Sequence, residues 1–148
     1  MQLTKNFHLS ELIKSQTASR LSIKNIPNEI VISKLRLLCE KVLQPIRDNF
    51  DLPVIISSGY RSPDVNRAVG GSSKSQHMTG EAADFDIPSI DNYTLAQWIK
   101  ENLNYDQLIL EFYTGGNSGW IHVGYSPRHL NQELTINRYG SFSGLKRY

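Results

Sequence analysis

Three short segments of the chain, residues 82–87, 108–113 and 120–125, alternate between apolar and polar residues. A period of two places successive side chains on opposite faces of a strand. Each segment therefore predicts a half-buried strand, and we expect the three strands in one largely antiparallel sheet. The polar face of that sheet carries titratable side chains from all three segments: Asp84, Asp86, Glu111 and His122.

Helical patterns dominate the N-terminal part. We expect a short helix over residues 9–14 with Ser10 as its cap, and a longer helix that starts at Pro27. The apolar residues of the longer helix recur at intervals of three to five, and Pro45 should kink or end it. The remaining predicted elements are a buried strand over 53–58, a helix that starts with Ser62 as cap and Pro63 in the first turn, a helix over 94–103 and a strand over 134–138.

Length and composition agree with this pattern. The chain has 148 residues, of which 39% are hydrophobic and 20% charged, so it suits one domain and excludes a disordered chain or a coiled coil. We expect a single α+β domain over residues 1–148, with N-terminal helices packed on a mainly antiparallel sheet. The tail from about residue 126 is expected to be peripheral.

Charge and cysteine content narrow the possible partners. The net charge of +2 is too small to indicate a nucleic-acid partner. We expect the basic residues of the tail to form a solvated surface: Arg128, Arg138, Lys146 and Arg147. Cys39 is the only cysteine, which excludes an internal disulfide and a cysteine-based zinc site, and its apolar neighbours predict burial.

The sequence contains no apolar run long enough to span a bilayer, and residues 1–6 lack the apolar core of a signal peptide. We therefore expect a protein made in the cytoplasm, which would need another route to act outside the cell. We also expect it to be a monomer.

The length of the loop between the second and third segments determines which polar side chains lie opposite each other on the two strands. If Gly116-Asn117 is a two-residue turn, Tyr113 pairs with Trp120 and Glu111 lies directly across from His122. A longer loop would shift this register.

His77, Asp84 and His122 are a suitable ligand set for catalytic zinc, with a fourth position left to water. The spacing of His77 and Asp84, with Gly80 between them, fits a loop ligand followed by a strand ligand. On spacing alone, however, a strand histidine is more often a structural residue, so both interpretations stand at this point.

A longer motif is more specific. Residues 75–84 match the pattern Ser-x-His-x-x-Gly-x-Ala-x-Asp, and residues 120–123 read Trp-Ile-His-Val. Both resemble the zinc D-Ala-D-Ala carboxypeptidase family (peptidase M15), and residues 58–63 resemble its arginine-bearing segment. The likeness runs from about Phe7 to about Tyr125 and is strongest to a short branch found in bacteria and their phages.

The resemblance implies roles for individual residues. His77, Asp84 and His122 become the zinc ligands, and Arg61 becomes the group that holds the peptide carbonyl or a carboxylate of the substrate. Ser75 either orients a loop or a bound carboxylate, or faces water. Tyr60 and Trp120, together with Tyr113, either line a substrate groove or border the sheet. Asp86 is either a partner of a ligand histidine or an exposed charge.

The chain departs from the family pattern beside the last ligand. Several members carry a glutamate or histidine there, whereas this chain has Gly119 and Trp120, neither of which can move a proton. Glu111 is the candidate base, and a similar glutamate occurs in the short branch. The alternative for Glu111 is a structural carboxylate paired with Arg61 or a lysine.

The implied function is that of a zinc peptidase acting on peptidoglycan stem peptides, either as a D,D-carboxypeptidase or as an L-Ala–D-Glu endopeptidase. A phage lysin that reaches the bacterial wall on lysis or on a virion fits this expectation. The alternative is a catalytically inert, zinc-stabilised binding module of the same fold.

Overall fold

The computed structural model describes residues 1–147. In chain order its elements are β1 (Gln2–Thr4), β2 (Phe7–His8), α1 (Leu9–Ile13), α2 (Gln16–Leu21), α3 (Glu29–Leu38), a π-helical turn (Cys39–Leu43), α4 (Gln44–Phe50), β3 (Ile55–Ser58), α5 (Pro63–Ala68), a 3-10 turn (Gln76–Thr79), β4 (Ala82–Asp86), α6 (Asn92–Asn102), β5 (Gln107–Glu111), β6 (Trp120–Gly124), β7 (Gln132–Asn137) and β8 (Gly140–Ser143). Strands β1 and β2 form a small ribbon, and the others form one sheet in the order β3-β4-β6-β5-β7-β8. Only the β5–β7 pair is parallel among the described neighbours.

Helices cover the apolar face of this sheet. The core joins fully buried side chains of α3, the π turn, α4 and α6 to those of the strands: Leu35, Leu38, Cys39, Val42, Ile46, Leu95, Ile99, Leu108, Leu110, Ile121 and Val123. The predicted α+β class with a mainly antiparallel sheet is confirmed. Cys39 is buried as predicted, and burial raises the pKa of its thiol to about 12.

The N-terminal helices differ from the prediction at their ends. The cap of α1 is His8 rather than Ser10, because the His8 ring accepts the Ser10 N–H while the Glu11 carboxylate accepts the His8 N–H. The longer helix starts at Glu29, where Asn28 supplies the capping oxygen. The helical path widens into the π turn directly before α4 and resumes in α4, whose first turn contains Pro45 and tolerates its missing N–H.

The strand predicted over residues 53–58 was expected to be buried, and that expectation is wrong. Strand β3 covers only Ile55–Ser58, and Ile55 is 49% exposed. The reason is topological, because β3 is an edge strand that pairs with β4 alone in the described sheet.

The predicted register of the β5–β6 hairpin is also wrong. Glu111 pairs with Trp120, and Ile109 pairs with His122. The connecting loop spans residues 112–119, so it is longer than the two-residue turn that the prediction assumed. The observed register differs from the predicted one by two positions. A shift of an even number of residues leaves every side chain on the same face of the sheet, so Glu111 still shares a face with His122.

The tail from residue 126, expected to be peripheral, supplies two strands at one edge of the sheet. Strand β7 covers most of the predicted strand 134–138, whereas the pattern did not predict β8. No helix among residues 1–147 combines the length and the apolar character that crossing a bilayer requires.

Candidate metal centre

His77 lies in the 3-10 turn, and main-chain groups fix its orientation. The Ser75 hydroxyl caps this turn by accepting a hydrogen bond from the His77 N–H (3.2 Å). The His77 Nδ1 lies 2.8 Å from the carbonyl oxygen of Gly59, so Nδ1 donates and Nε2 keeps its lone pair. At 3% exposure, His77 is a buried imidazole held in one tautomer.

Gly59 can bring its carbonyl to His77 because it has no side chain. A Cβ at this position would lie 2.2 Å from the carbonyl oxygen of Leu12 in α1. That oxygen accepts the N–H of Tyr60 (2.7 Å), and the N–H of Arg61 donates to the carbonyl of His77 (3.0 Å). The segment after β3 is therefore clamped between α1 and the 3-10 turn.

Asp84 and His122 face each other on neighbouring strands, β4 and β6. The Asp84 Oδ1 lies 2.9 Å from His122 Nδ1 and 3.4 Å from His77 Nε2. One ligand atom from each of the three residues lies within 4.8 Å of the others. The structure thus brings together the three side chains that the sequence analysis selected, and this group could hold a metal ion.

Asp84 carries the negative charge of this group. Burial raises the pKa of its carboxyl, but the hydrogen bond from His122 Nδ1 and the adjacent imidazole of His77 outweigh burial and hold the pKa below its ordinary value. The Arg61 Nη2 also lies 3.5 Å from Asp84 Oδ2. Asp84 is therefore ionised at neutral pH, as a metal-binding carboxylate must be.

Arg61 sits where β3 ends, next to the capped start of α5. The Ser62 hydroxyl caps this helix, as predicted. The Arg61 guanidinium donates from Nε to the Ser58 hydroxyl (3.1 Å) and from Nη1 to the Asn66 side-chain oxygen (3.5 Å). With its side chain 19% exposed, Arg61 is anchored on several sides and still borders the cleft described below.

Glu111 ends β5 on the same face as this group. Its Oε2 accepts a hydrogen bond from Trp120 Nε1 (2.9 Å). Burial and the nearby charge of Asp84 raise the pKa of Glu111, and His122, Trp120 and Arg61 oppose that rise. Among the described residues Glu111 forms no ion pair with Arg61 or with a lysine, which the structural alternative would require.

The hairpin accepts no side chain at position 119. Gly119 has φ of 66°, in the left-handed region, and a Cβ there would lie 2.0 Å from the carbonyl oxygen of Glu111. The absence of a glutamate at position 119, three residues before the last histidine, therefore has a steric basis in this chain.

Other predicted residues have mixed outcomes. Tyr60, predicted to line a substrate groove, packs in the hydrophobic core at 7% exposure and lies outside the cleft, so that prediction is wrong. Trp120 and Ser75 do line the cleft. His77 and His122 find their hydrogen-bond partners in Gly59 and Asp84 rather than in Asp86.

The cleft has a volume of about 500 Å³, and its wall includes residues that the sequence analysis missed. Arg128, expected on a solvated surface, lines the cleft and forms an ion pair with buried Asp106 (3.0 Å). The sequence signal that could have drawn attention to Asp106 is the polar pair Asp106-Gln107, which stands directly before an apolar run. Nothing in the local sequence pattern indicated that the parallel pairing of β5 with β7 would bring Arg128 next to Asp106.

Comparison with known proteins gives one clear result. A search of curated proteins found no match. A family model described as Peptidase M15 matches residues 5–124, which include His77, Asp84 and His122 as well as Arg61 and Glu111. Since the match covers well over half of the sequence, the chain belongs to the peptidase M15 family.

Proposed function

We propose that the protein is a zinc-dependent peptidase that hydrolyses the stem peptides of peptidoglycan. The observation that carries the proposal is the grouping of His77, Asp84 and His122 in an open cleft, with the Glu111 carboxylate on the same face. Peptidases of the M15 family are metal-dependent, which supports a metal in this group.

The side chains present suit zinc. Two imidazoles and one ionised carboxylate form a ligand set of catalytic zinc sites, where one position stays open. The Gly59 carbonyl holds the Nδ1 proton of His77 and so keeps Nε2 available as a ligand. Bound zinc would polarise a peptide carbonyl and lower the pKa of water to about 7.

Glu111 would act as the general base that takes a proton from the attacking water and passes it to the leaving amine. A base works best when its pKa lies near the working pH, and burial shifts the pKa of Glu111 in that direction. The Trp120 indole N–H fixes the orientation of the carboxylate. Gly119 offers no competing group.

Arg61 would hold the carbonyl oxygen or a carboxylate of the substrate. Its guanidinium is anchored before substrate arrives, so little ordering is needed when the peptide binds. Ser75 and Trp120 would contact the same peptide from the cleft wall.

Two bonds of the stem peptide remain as targets. One is the terminal D-Ala–D-Ala bond, and the other is the L-Ala–D-Glu bond. Either activity would act on the bacterial wall, as a phage lysin released on lysis or carried on a virion does.

The test is digestion of purified peptidoglycan by the zinc-loaded protein, followed by mass analysis of the soluble fragments. Free D-Ala identifies the carboxypeptidase, and new D-Glu amino termini identify the endopeptidase. The Glu111→Gln variant is the matched control for contaminating hydrolases. Unchanged peptidoglycan would contradict the proposal and favour a zinc-stabilised binding module without activity.

A further inference from the structure

A second ionic cluster lies in the cleft, apart from the candidate metal centre. The Asp106 carboxylate is 1% exposed and accepts hydrogen bonds from Gln76 Nε2 (2.8 Å) and Arg128 Nη2 (3.0 Å). Burial raises the pKa of Asp106, but hydrogen bonds from Ser126, Gln76 and Arg128 outweigh burial and hold the pKa below its ordinary value. A buried carboxylate that stays ionised needs its cation, so Asp106 fixes Arg128.

Arg128 is fixed along one edge and open along the other. Its Nε donates to the Ser126 hydroxyl (3.0 Å) and its Nη2 to Asp106, yet the side chain is 62% exposed and lines the cleft. The remaining N–H groups form a planar fork suited to a carboxylate. Because Ser126 and Asp106 already order the side chain, binding an anion costs little further rotamer entropy.

The order of the strands places cations on both flanks of the centre. The histidine and aspartate ligands lie on or next to β4 and β6, Arg61 follows β3, and Arg128 precedes β7 beyond β5. Asp84 and Glu111 supply negative charge to the part of the cleft that lies between the two arginines. A peptide lying across the centre therefore meets one arginine on each side.

We propose that Arg128 forms a carboxylate subsite, which binds an acidic group of the peptide on the flank away from Arg61 and selects for peptides that carry one there. The inference rests on the proposed function, because it assumes that the cleft holds the peptide. In a stem peptide with lysine as its third residue, the carboxylate has two possible sources, the α-carboxylate of γ-linked D-Glu or the chain terminus.

The experiment uses three synthetic stem pentapeptides: one with both carboxylates free, one with the D-Glu α-carboxylate amidated, and one with the terminal carboxylate amidated. We expect the wild-type protein to prefer the free peptide over one amide by about 10-fold to 100-fold in kcat/KM, the range for a hydrogen-bonded charge. R128A should lose this preference. The carboxylate whose amidation weakens hydrolysis by the wild-type protein is the one that Arg128 binds. R67A is the matched control, since Arg67 is an exposed arginine paired with Asp64 outside the cleft.

Removing Arg128 leaves Asp106 without its cation, so R128K serves as a second variant that keeps the charge but loses the fork. We expect R128K to fold and to show a reduced preference. A wild-type preference retained in both variants, or no preference in the wild-type protein, would overturn the subsite while leaving the proposed hydrolysis intact.

Calorimetric binding of the same peptides to the metal-free protein separates the two proposals. If no peptide is cleaved, the proposed function fails. The subsite still predicts tighter binding of the free peptide than of one amide, and loss of that difference in R128A. Equal binding of all three peptides to the wild-type protein would overturn it.

Discussion

The two flanks of the cleft are built in different ways. On the Arg61 flank, the Gly59 carbonyl holds the His77 ring, main-chain hydrogen bonds tie residues 59–61 to α1 and the 3-10 turn, and His77 is almost fully enclosed. On the Arg128 flank, side chains hold one another through Asp106, and Arg128 itself is largely exposed. The first construction is rigid and suits a metal centre, whereas the second can change with little disturbance of the backbone and suits the choice of substrate.

The largest effect should come from removing a ligand on the rigid flank. His77→Ala deletes one of three donors, so elemental analysis of the dialysed protein should show most of the zinc gone, and peptide hydrolysis should be lost with it. His129→Ala is the control, because the described contacts of the His129 ring are with the Tyr125 hydroxyl and ring, away from the candidate ligands. Full retention of zinc by His77→Ala would contradict the ligand assignment.

Alanine substitutions at two glycines, one on each flank, test the difference in rigidity directly. A Cβ on Gly59 meets the backbone of Leu12 at 2.2 Å, whereas a Cβ on Gly124 meets only the end of the Gln76 side chain at 2.1 Å. Gly59→Ala should therefore lower the free energy of unfolding by about 1–3 kcal/mol, the usual cost of overpacking, and Gly124→Ala by less. Urea titrations of both variants measure this, and equal losses would remove the distinction.

Arg61→Lys keeps the charge but loses the planar fork. We expect peptide hydrolysis to fall about tenfold or more, because a guanidinium that donates to the substrate cannot be replaced by an ammonium at the same place. The melting temperature should change little. A large drop in melting temperature with normal hydrolysis would instead make Arg61 a structural ion-pair residue.

The smallest expected effect concerns the stability of the metal-free protein. The pKa of Glu111 is higher in the folded state than in the unfolded chain, so the folded state binds the Glu111 proton more tightly. This tighter binding stabilises the fold below the unfolded pKa of about 4.3. The stabilisation is lost as the pH rises through the folded pKa. Glu111→Gln should therefore raise the melting temperature at pH 7 by about 1–3 °C and leave it unchanged at pH 3. A rise of equal size at both pH values would show that ionisation of Glu111 is not the cause.

Features fixed by neighbouring residues were predictable from the sequence. Alternation predicted β4, β5 and β6 and the face that each polar side chain occupies. Ser62 followed by Pro63 predicted the start of α5. Asp84 and His122 share a face in any pairing of their two strands that has the same parity. His77 lies in the 3-10 turn, and the resemblance of residues 75–84 to the family motif selected it.

Features that depend on distant pairing were not predictable. The register of Glu111 depends on the length of the loop over 112–119, which a Gly-Asn pair did not reveal. The cluster of Asp106 and Arg128 depends on the parallel pairing of β5 with β7, which has no local signature. Tyr60 was misassigned because an aromatic residue next to the candidate substrate-binding Arg61 looks the same in sequence whether it faces the cleft or the core.

In the proposed mechanism, Glu111 supplies the base at a metal centre that is held by the rigid flank. The most direct measurement takes one preparation of Glu111→Gln and determines both its zinc content and its rate of stem-peptide hydrolysis. We expect wild-type zinc content and hydrolysis slower by about 10²-fold or more. Full zinc content with hydrolysis at the wild-type rate would contradict this mechanism.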